Sequence, residues 1–174
     1  MRKTVIFLGV LILFLNFTAP RALSLCVQAG NPFPDFVLKT TEGKEVRLSD
    51  YRGKVVFLAF FASWCPRCRE ELTFLNRIKK ENPDLVVLAI NQEGQNLTAS
   101  RLETLKQNLD DWGIEFPVLL DMDLKVWDEA CINALPTSVI LDREGKIVFA
   151  EPNYYWASEE KIASILARFF GGEK

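Results

Sequence analysis

The chain has 174 residues, with 21 basic and 23 acidic side chains and a formal net charge of −2. That balance provides no basic face for nucleic acid. The absence of any histidine removes His-dependent general-base catalysis and most zinc and copper sites.

The first 24 residues contain no acid. Arg2 and Lys3 form a positive start, Val5 to Phe17 is apolar except at Asn16, and Ala22-Leu23-Ser24 offers a small-x-small cleavage site. This is the layout of a secretory signal peptide. The alternative is an uncleaved membrane tether through residues 5–19, although the apolar run falls short of the ~20 residues that cross a bilayer core. Either reading places the folded domain outside the cytoplasm, in the periplasm or on the outer face of the membrane. About 150 residues remain, enough for one domain that folds without covalent staples. Without residues 1–24 the chain keeps 18 basic residues against 23 acidic ones, a net charge of −5.

Asn31-Pro-Phe-Pro-Asp is a stiff lead-in to a domain spanning residues 31–174. Phe36 to Lys39 and Lys44 to Leu48 flank Thr41-Glu42-Gly43 and predict a hairpin. Val55 to Phe61 is apolar throughout and suits a central strand buried on both faces. Pro66 to about Lys80 predicts a helix with Leu72, Leu75 and Ile78 inward and Phe74 alongside, ended by Asn82-Pro83. Leu85 to Ile90 is a second buried strand, and Asn91 to Ser100 a polar loop. A helix over Arg101–Trp112 carries the stripe Leu102, Leu105 and Leu109 and stops at Gly113. Phe116 to Leu120 is a short strand and Asp123 to Cys131 a short helix. Strands at Thr137–Leu141 and Lys146–Ala150 are joined by the turn Asp142-Arg143-Glu144-Gly145. Ser158 caps a final helix. The order is an α/β one, a hairpin followed by a βαβ unit, a helix and strand, a second hairpin and a helix.

Trp64-Cys65-Pro66-Arg67-Cys68 carries the chemistry. Residues three apart at a helix start share a face, at a spacing that permits a disulfide. Pro66 suits the first helical position, which needs no amide donor. Cys65 then lies beside free backbone amides at the positive end of the helix dipole, with the Arg67 cation near, and such surroundings favour a reactive thiolate. Cys65 is the expected nucleophile. Cys68, one turn deeper, is the expected resolving thiol. Trp64 offers an aromatic surface for a partner. The bland alternative is an inert structural disulfide. A metal site is disfavoured, because Cys26 and Cys131 lack the spacing of a second zinc pair. Those two cysteines either form a second disulfide or stay unpaired, and no cofactor is expected.

Gly53 to Glu71, containing Phe-Phe-Ala-Ser-Trp-Cys-Pro-Arg-Cys-Arg-Glu-Glu, resembles the active-site stretch of extracytoplasmic thioredoxins of the TlpA/ResA type. Pro34-Asp-Phe-Val-Leu, Leu48-Ser-Asp-Tyr-Arg-Gly, Phe116-Pro-Val-Leu-Leu-Asp and Leu135-Pro-Thr-Ser-Val-Ile-Leu-Asp-Arg-Glu-Gly extend the likeness over about residues 31–170. The resemblance implies a thioredoxin fold with an N-terminal β-hairpin and an inserted strand–helix, its central mixed sheet flanked by helices. It implies a cis bond before Pro136, which faces the active disulfide, and backbone groups of Leu135 offered to a substrate segment. Glu93 resembles an acid used by some exported relatives, with a solvated loop carboxylate as the plain alternative. Thr73 stands where relatives usually have a kinking proline, so a straighter helix is expected. Ala59 stands in place of the buried acid that assists the second cysteine of cytoplasmic thioredoxins, so proton transfer at Cys68 needs another group or water. Cys131 replaces a usual glycine. Tyr154-Tyr155-Trp156 replaces a short glycine-containing turn and forms either local packing or a docking patch.

The implied activity is thiol–disulfide exchange with disulfide or dithiol protein substrates, fed by a membrane electron donor. The role is that of a reductant in extracytoplasmic protein or cytochrome c maturation. A stabilised Cys65 thiolate makes the pair more oxidising, so a reductant role requires that donor. A peroxiredoxin-like peroxidase is the weaker alternative, since Ala62-Ser63-Trp64 lacks the threonine such enzymes place before their cysteine. A redox-inert binding or assembly module is the non-enzymatic one. Copper delivery is disfavoured by the CxxC spacing and the missing histidine.

Overall fold

The computed structural model describes residues 26–171. The export segment and the tether expected within residues 1–24 lie outside them. No described helix is long and apolar enough to cross a membrane.

Seven strands form one mixed sheet: β1 (Val37–Thr40), β2 (Glu45–Arg47), β3 (Val56–Phe61), β4 (Val86–Asn91), β5 (Val118–Leu120), β6 (Thr137–Leu141) and β7 (Ile147–Pro152). Their order is β2-β1-β5-β4-β3-β6-β7. β3 pairs parallel with β4 and antiparallel with β6, and all six of its residues are buried. This is why its sequence is unbroken Val-Phe-Leu-Ala-Phe-Phe instead of an alternation. The edge strands differ in character. β2 is three residues long with Glu45 and Arg47 exposed, and β7 ends in Pro152.

Successive side chains of β3 serve two cores, as the period-2 pleat requires. Phe57, Ala59 and Phe61 share one cluster with Leu72, Leu75 and Ile78 of α1 (Pro66–Glu81), Leu105 of α2 (Ala99–Asp111) and Ile162 of α4 (Trp156–Phe170). Val56, Leu58 and Phe60 share the other with Phe33, Phe36, the β1–β2 hairpin and α3 (Lys125–Glu129). Val27 is buried in this second cluster and the Gly30 amide donates to Ile147 O, so packing starts ahead of Asn31.

Three local details refine the expectations. α1 runs unbroken through Thr73, whose hydroxyl donates to Arg69 O (2.8 Å). α4 begins at Trp156 with Tyr155 as its N-cap, three residues before the expected cap at Ser158. Ser158 acts from inside the helix, its Oγ accepting from Tyr155 N (3.1 Å), the reciprocal half of a capping box. α3 ends in a Schellman motif: Cys131 N donates to Asp128 O and Ile132 N to Trp127 O. Cys131 occupies its left-handed position (φ +49°), which explains the glycine usual there.

Candidate active site

Cys65 is the N-cap of α1 in an extended conformation, and Pro66 follows as the first helical residue. Cys65 and Cys68 form a disulfide with Cα atoms 5.3 Å apart. The Cys68 amide donates to Cys65 Sγ (3.2 Å) while also serving Cys65 O (3.1 Å). Cys65 is 7% exposed and Cys68 fully buried, so the residue at the helix tip is the less buried of the two. Trp64 is 71% exposed beside it. A groove of about 650 Å³ leads from Cys65 along α1, between Trp112 and Glu159.

Glu93 is buried, which overturns the solvated-carboxylate alternative. Its Oε2 accepts from Ser63 N (3.1 Å) and Asn91 Nδ2 (2.8 Å). It thereby ties the end of β4 to the loop that delivers Trp64 and Cys65. The Leu135–Pro136 bond is cis. Thr137 pairs with Phe60, which sets Leu135 and Pro136 at the end of the sheet where β3 runs into Cys65.

Arg67 makes contacts that the sequence did not show. Its guanidinium donates to Tyr154 O (3.3 Å) and lies 4.8 Å from the centre of the Tyr155 ring. Among the described residues no hydrogen bond joins it to Cys65. Asn153 N in turn donates to Pro136 O (2.7 Å). The Cys65–Cys68 turn, the Tyr154 segment and the proline loop are thus linked in series through Arg67. Tyr154 is buried, tilted against Phe74 (6.0 Å), and its hydroxyl donates to Glu159 (2.6 Å). Tyr155 is exposed. The aromatic segment therefore divides between packing and surface, and the Trp156 side chain lies outside what is described.

Sequence reasoning missed Glu71. It lies on the buried face of α1, one turn beyond Cys68 and beside Leu72, and is fully buried. Ser138 donates to its Oε1, and its Oε2 has no partner. Burial pushes its carboxyl up to about 7, a rise the Ser138 hydrogen bond opposes. Ser138 is the β6 residue opposite Ala59. The layer that lacks an acid at position 59 thus receives one from the helix. The available signal was a carboxylate inside the apolar stripe Cys68, Leu72, Leu75, where an exposed charge does not fit.

Residues 29–150 match the AhpC/TSA family. The chain belongs to this family. It is 33% identical over 123 residues to the thiol–disulfide oxidoreductase ResA of Geobacillus thermodenitrificans, covering 70% of this chain and 67% of the relative. It is 33% identical over 135 residues to ResA of Halalkalibacterium halodurans, covering 76% and 72%. Among solved structures it resembles the pneumococcal exposed lipoprotein thioredoxin Etrx1 of Streptococcus pneumoniae, with a TM-score of 0.65 at 33% identity over 78% of this chain and 99% of that one. The family member described here has the thioredoxin-like fold and is a thiol–disulfide oxidoreductase of the TlpA/ResA type.

Proposed function

We propose that Cys65 and Cys68 exchange a disulfide with exported protein substrates through a mixed disulfide, in the reducing direction. The observation that carries this reading is the Cys68 N–H aimed at the sulfur of Cys65 at a helix N-terminus. That donor favours a thiolate over a thiol when the pair is reduced.

The Cys65 thiolate attacks one sulfur of the substrate disulfide, and the other substrate sulfur leaves as a thiolate that takes a proton from water. Cys68 then gives its proton to the Glu71 carboxylate and attacks Cys65 Sγ, reforming the Cys65–Cys68 disulfide and releasing the second substrate sulfur as a thiolate that takes a proton from water. Glu71 suits this step because its raised affinity for protons keeps both of its states populated near neutrality. Trp64 covers the partner beside the nucleophile, and Leu135 and Pro136 receive its backbone. Pro66 fixes the helix start. Arg67 and Glu93 tune the pair by holding the loops around it. Because the helix terminus favours the reduced, thiolate form, the pair is a reluctant reductant and needs a membrane electron donor to reset it.

Residues 1–24 export the domain or tether it through residues 5–19. The folded domain then works outside the cytoplasm in protein or cytochrome c maturation. Replacing Cys68 by Ser in cells tests the roles: adducts that vanish with a further Cys65→Ser change are expected. Adducts formed through Cys26 or Cys131 overturn the assignment.

A further inference from the structure

A second disulfide joins Cys26 to Cys131, 105 residues apart in sequence with Cα atoms 5.2 Å apart. A domain of this size does not need it to fold, so its position is informative. Cys131 terminates α3 and opens the segment that ends five residues later at Pro136. Besides the Ile132 N to Trp127 O bond at its start and the Asn153 N to Pro136 O bond at its end, that segment is held by packing and one side-chain hydrogen bond. Ile132 is buried beside Val126 and Ala130 in one core cluster, Thr137 Oγ1 donates to Ala134 O (2.8 Å), and Leu135 packs against both clusters. Cys26 sits next to buried Val27, so the far end of the disulfide is itself anchored in the core.

We propose that the Cys26–Cys131 disulfide is a positioning clasp for residues 132–136, holding Leu135 and Pro136 in the geometry that takes a protein substrate. This rests on the reading above that Leu135 and Pro136 receive the substrate backbone. The clasp fixes the left-handed Cys131 from one side while the Schellman hydrogen bonds fix it from the other. A loop held this way loses less freedom when a partner docks, and the benefit appears in substrate affinity more than in the chemical step. Cys65 and Cys68 keep their own supports, Glu93 and the α1 terminus, and do not need the clasp.

The test uses the full chain with both disulfides formed, reacted in single turnovers with reduced, unfolded ribonuclease as the dithiol substrate. No thiol besides the reactant is added; the dithiothreitol control is run separately, only its initial phase is read, and the Cys26–Cys131 bond is checked by mass after each run. The Cys26→Ala/Cys131→Gly double variant removes the bond while giving the left-handed position a residue that tolerates it. The expected result is a half-saturating substrate concentration raised about tenfold, with the limiting rate and the reaction with dithiothreitol unchanged. Amide exchange in residues 132–136 should accelerate. Thr137→Val, which keeps the disulfide but removes the hydroxyl bond to Ala134 O, should move both readouts the same way by less, and it serves as the test if the double variant does not fold. Unchanged exchange and unchanged half-saturation overturn the proposal. So does a parallel loss with ribonuclease and dithiothreitol, which marks a general loosening. Faster exchange with unchanged half-saturation also overturns it, and places the fault in the assignment of Leu135 and Pro136 as the substrate platform.

Discussion

The backbone amide of Cys68 lies 3.2 Å from the sulfur of Cys65, inside the turn that starts α1. In the reduced protein this donor meets a sulfur that is also the first group at the positive end of a 16-residue helix. Cys65 should therefore react with iodoacetamide at neutral pH faster than a cysteine in an unstructured peptide, and Cys68, buried behind it, far more slowly. Mass mapping of the pre-reduced protein after brief alkylation checks this. Equal labelling of the two sulfurs would remove the basis for their separate roles.

Glu71 gives the stability a pH dependence of defined sign. Burial pushes its carboxyl up to about 7 in the folded protein, from about 4.5 for an exposed glutamate. Between those values the native state binds more protons, so stability falls as pH rises, and the loss is complete above about 7. Glu71→Gln lacks this slope. Relative to the wild type it should gain up to about 3 kcal/mol between pH 4.5 and pH 8 in urea unfolding of the oxidised protein. A pH-independent difference between the two proteins would contradict a raised Glu71.

Glu93 accepts from Ser63 N and Asn91 Nδ2 in a buried setting. Glu93→Ala strands both donors, which costs about 1–3 kcal/mol. It also frees the approach to Trp64 and Cys65, so thiol exchange with a protein substrate should slow along with the loss of stability. Glu93→Gln keeps one acceptor oxygen and should recover most of both. Paired denaturation and turnover measurements separate the variants, and full activity in Glu93→Ala would reduce the carboxylate to a passive core group.

Thr73 sits in the interior of an unbroken α1, at the position where the family resemblance implies a proline. Thr73→Pro removes the bond from the Thr73 amide to Arg69 O and sets the ring against that carbonyl. The cost should be about 3 kcal/mol. Circular dichroism and the urea midpoint report it, and an unshifted midpoint would mean that this helix already accommodates a kink.

The sheet and its helices were legible because their signals are local and repeated: the unbroken apolar run of β3, the 3.6-residue stripes of α1 and α2, the turn at Asp142–Gly145. The cysteine pair was legible for the same reason, since a helix start and a three-residue spacing lie within one short segment. What escaped depends on contacts distant in sequence. Glu71 acquires its character from Ser138, 67 residues away, and from a core that excludes water. Arg67 hydrogen-bonds the Tyr154 carbonyl, 87 residues away. Cys26 and Cys131 could not be paired from spacing, because their meeting depends on where α3 ends against the lead-in. Ser158 was misplaced because a capping-box serine and an N-cap serine look alike until the backbone shows which residue leaves the helix.

The rims of the sheet restrict how another chain can attach. One rim is the short, charged β2, and the other closes on a proline that has no N–H to share. β2 is too short to present a long row of free backbone groups, and the start of β7 is covered by the lead-in, through Gly30 N to Ile147 O and Ile147 N to Asn31 O. An unfolded client rich in extended segments is steered away from lengthening the sheet sideways, a mode of capture that tends toward aggregation, and toward the strand tips where the sulfurs sit.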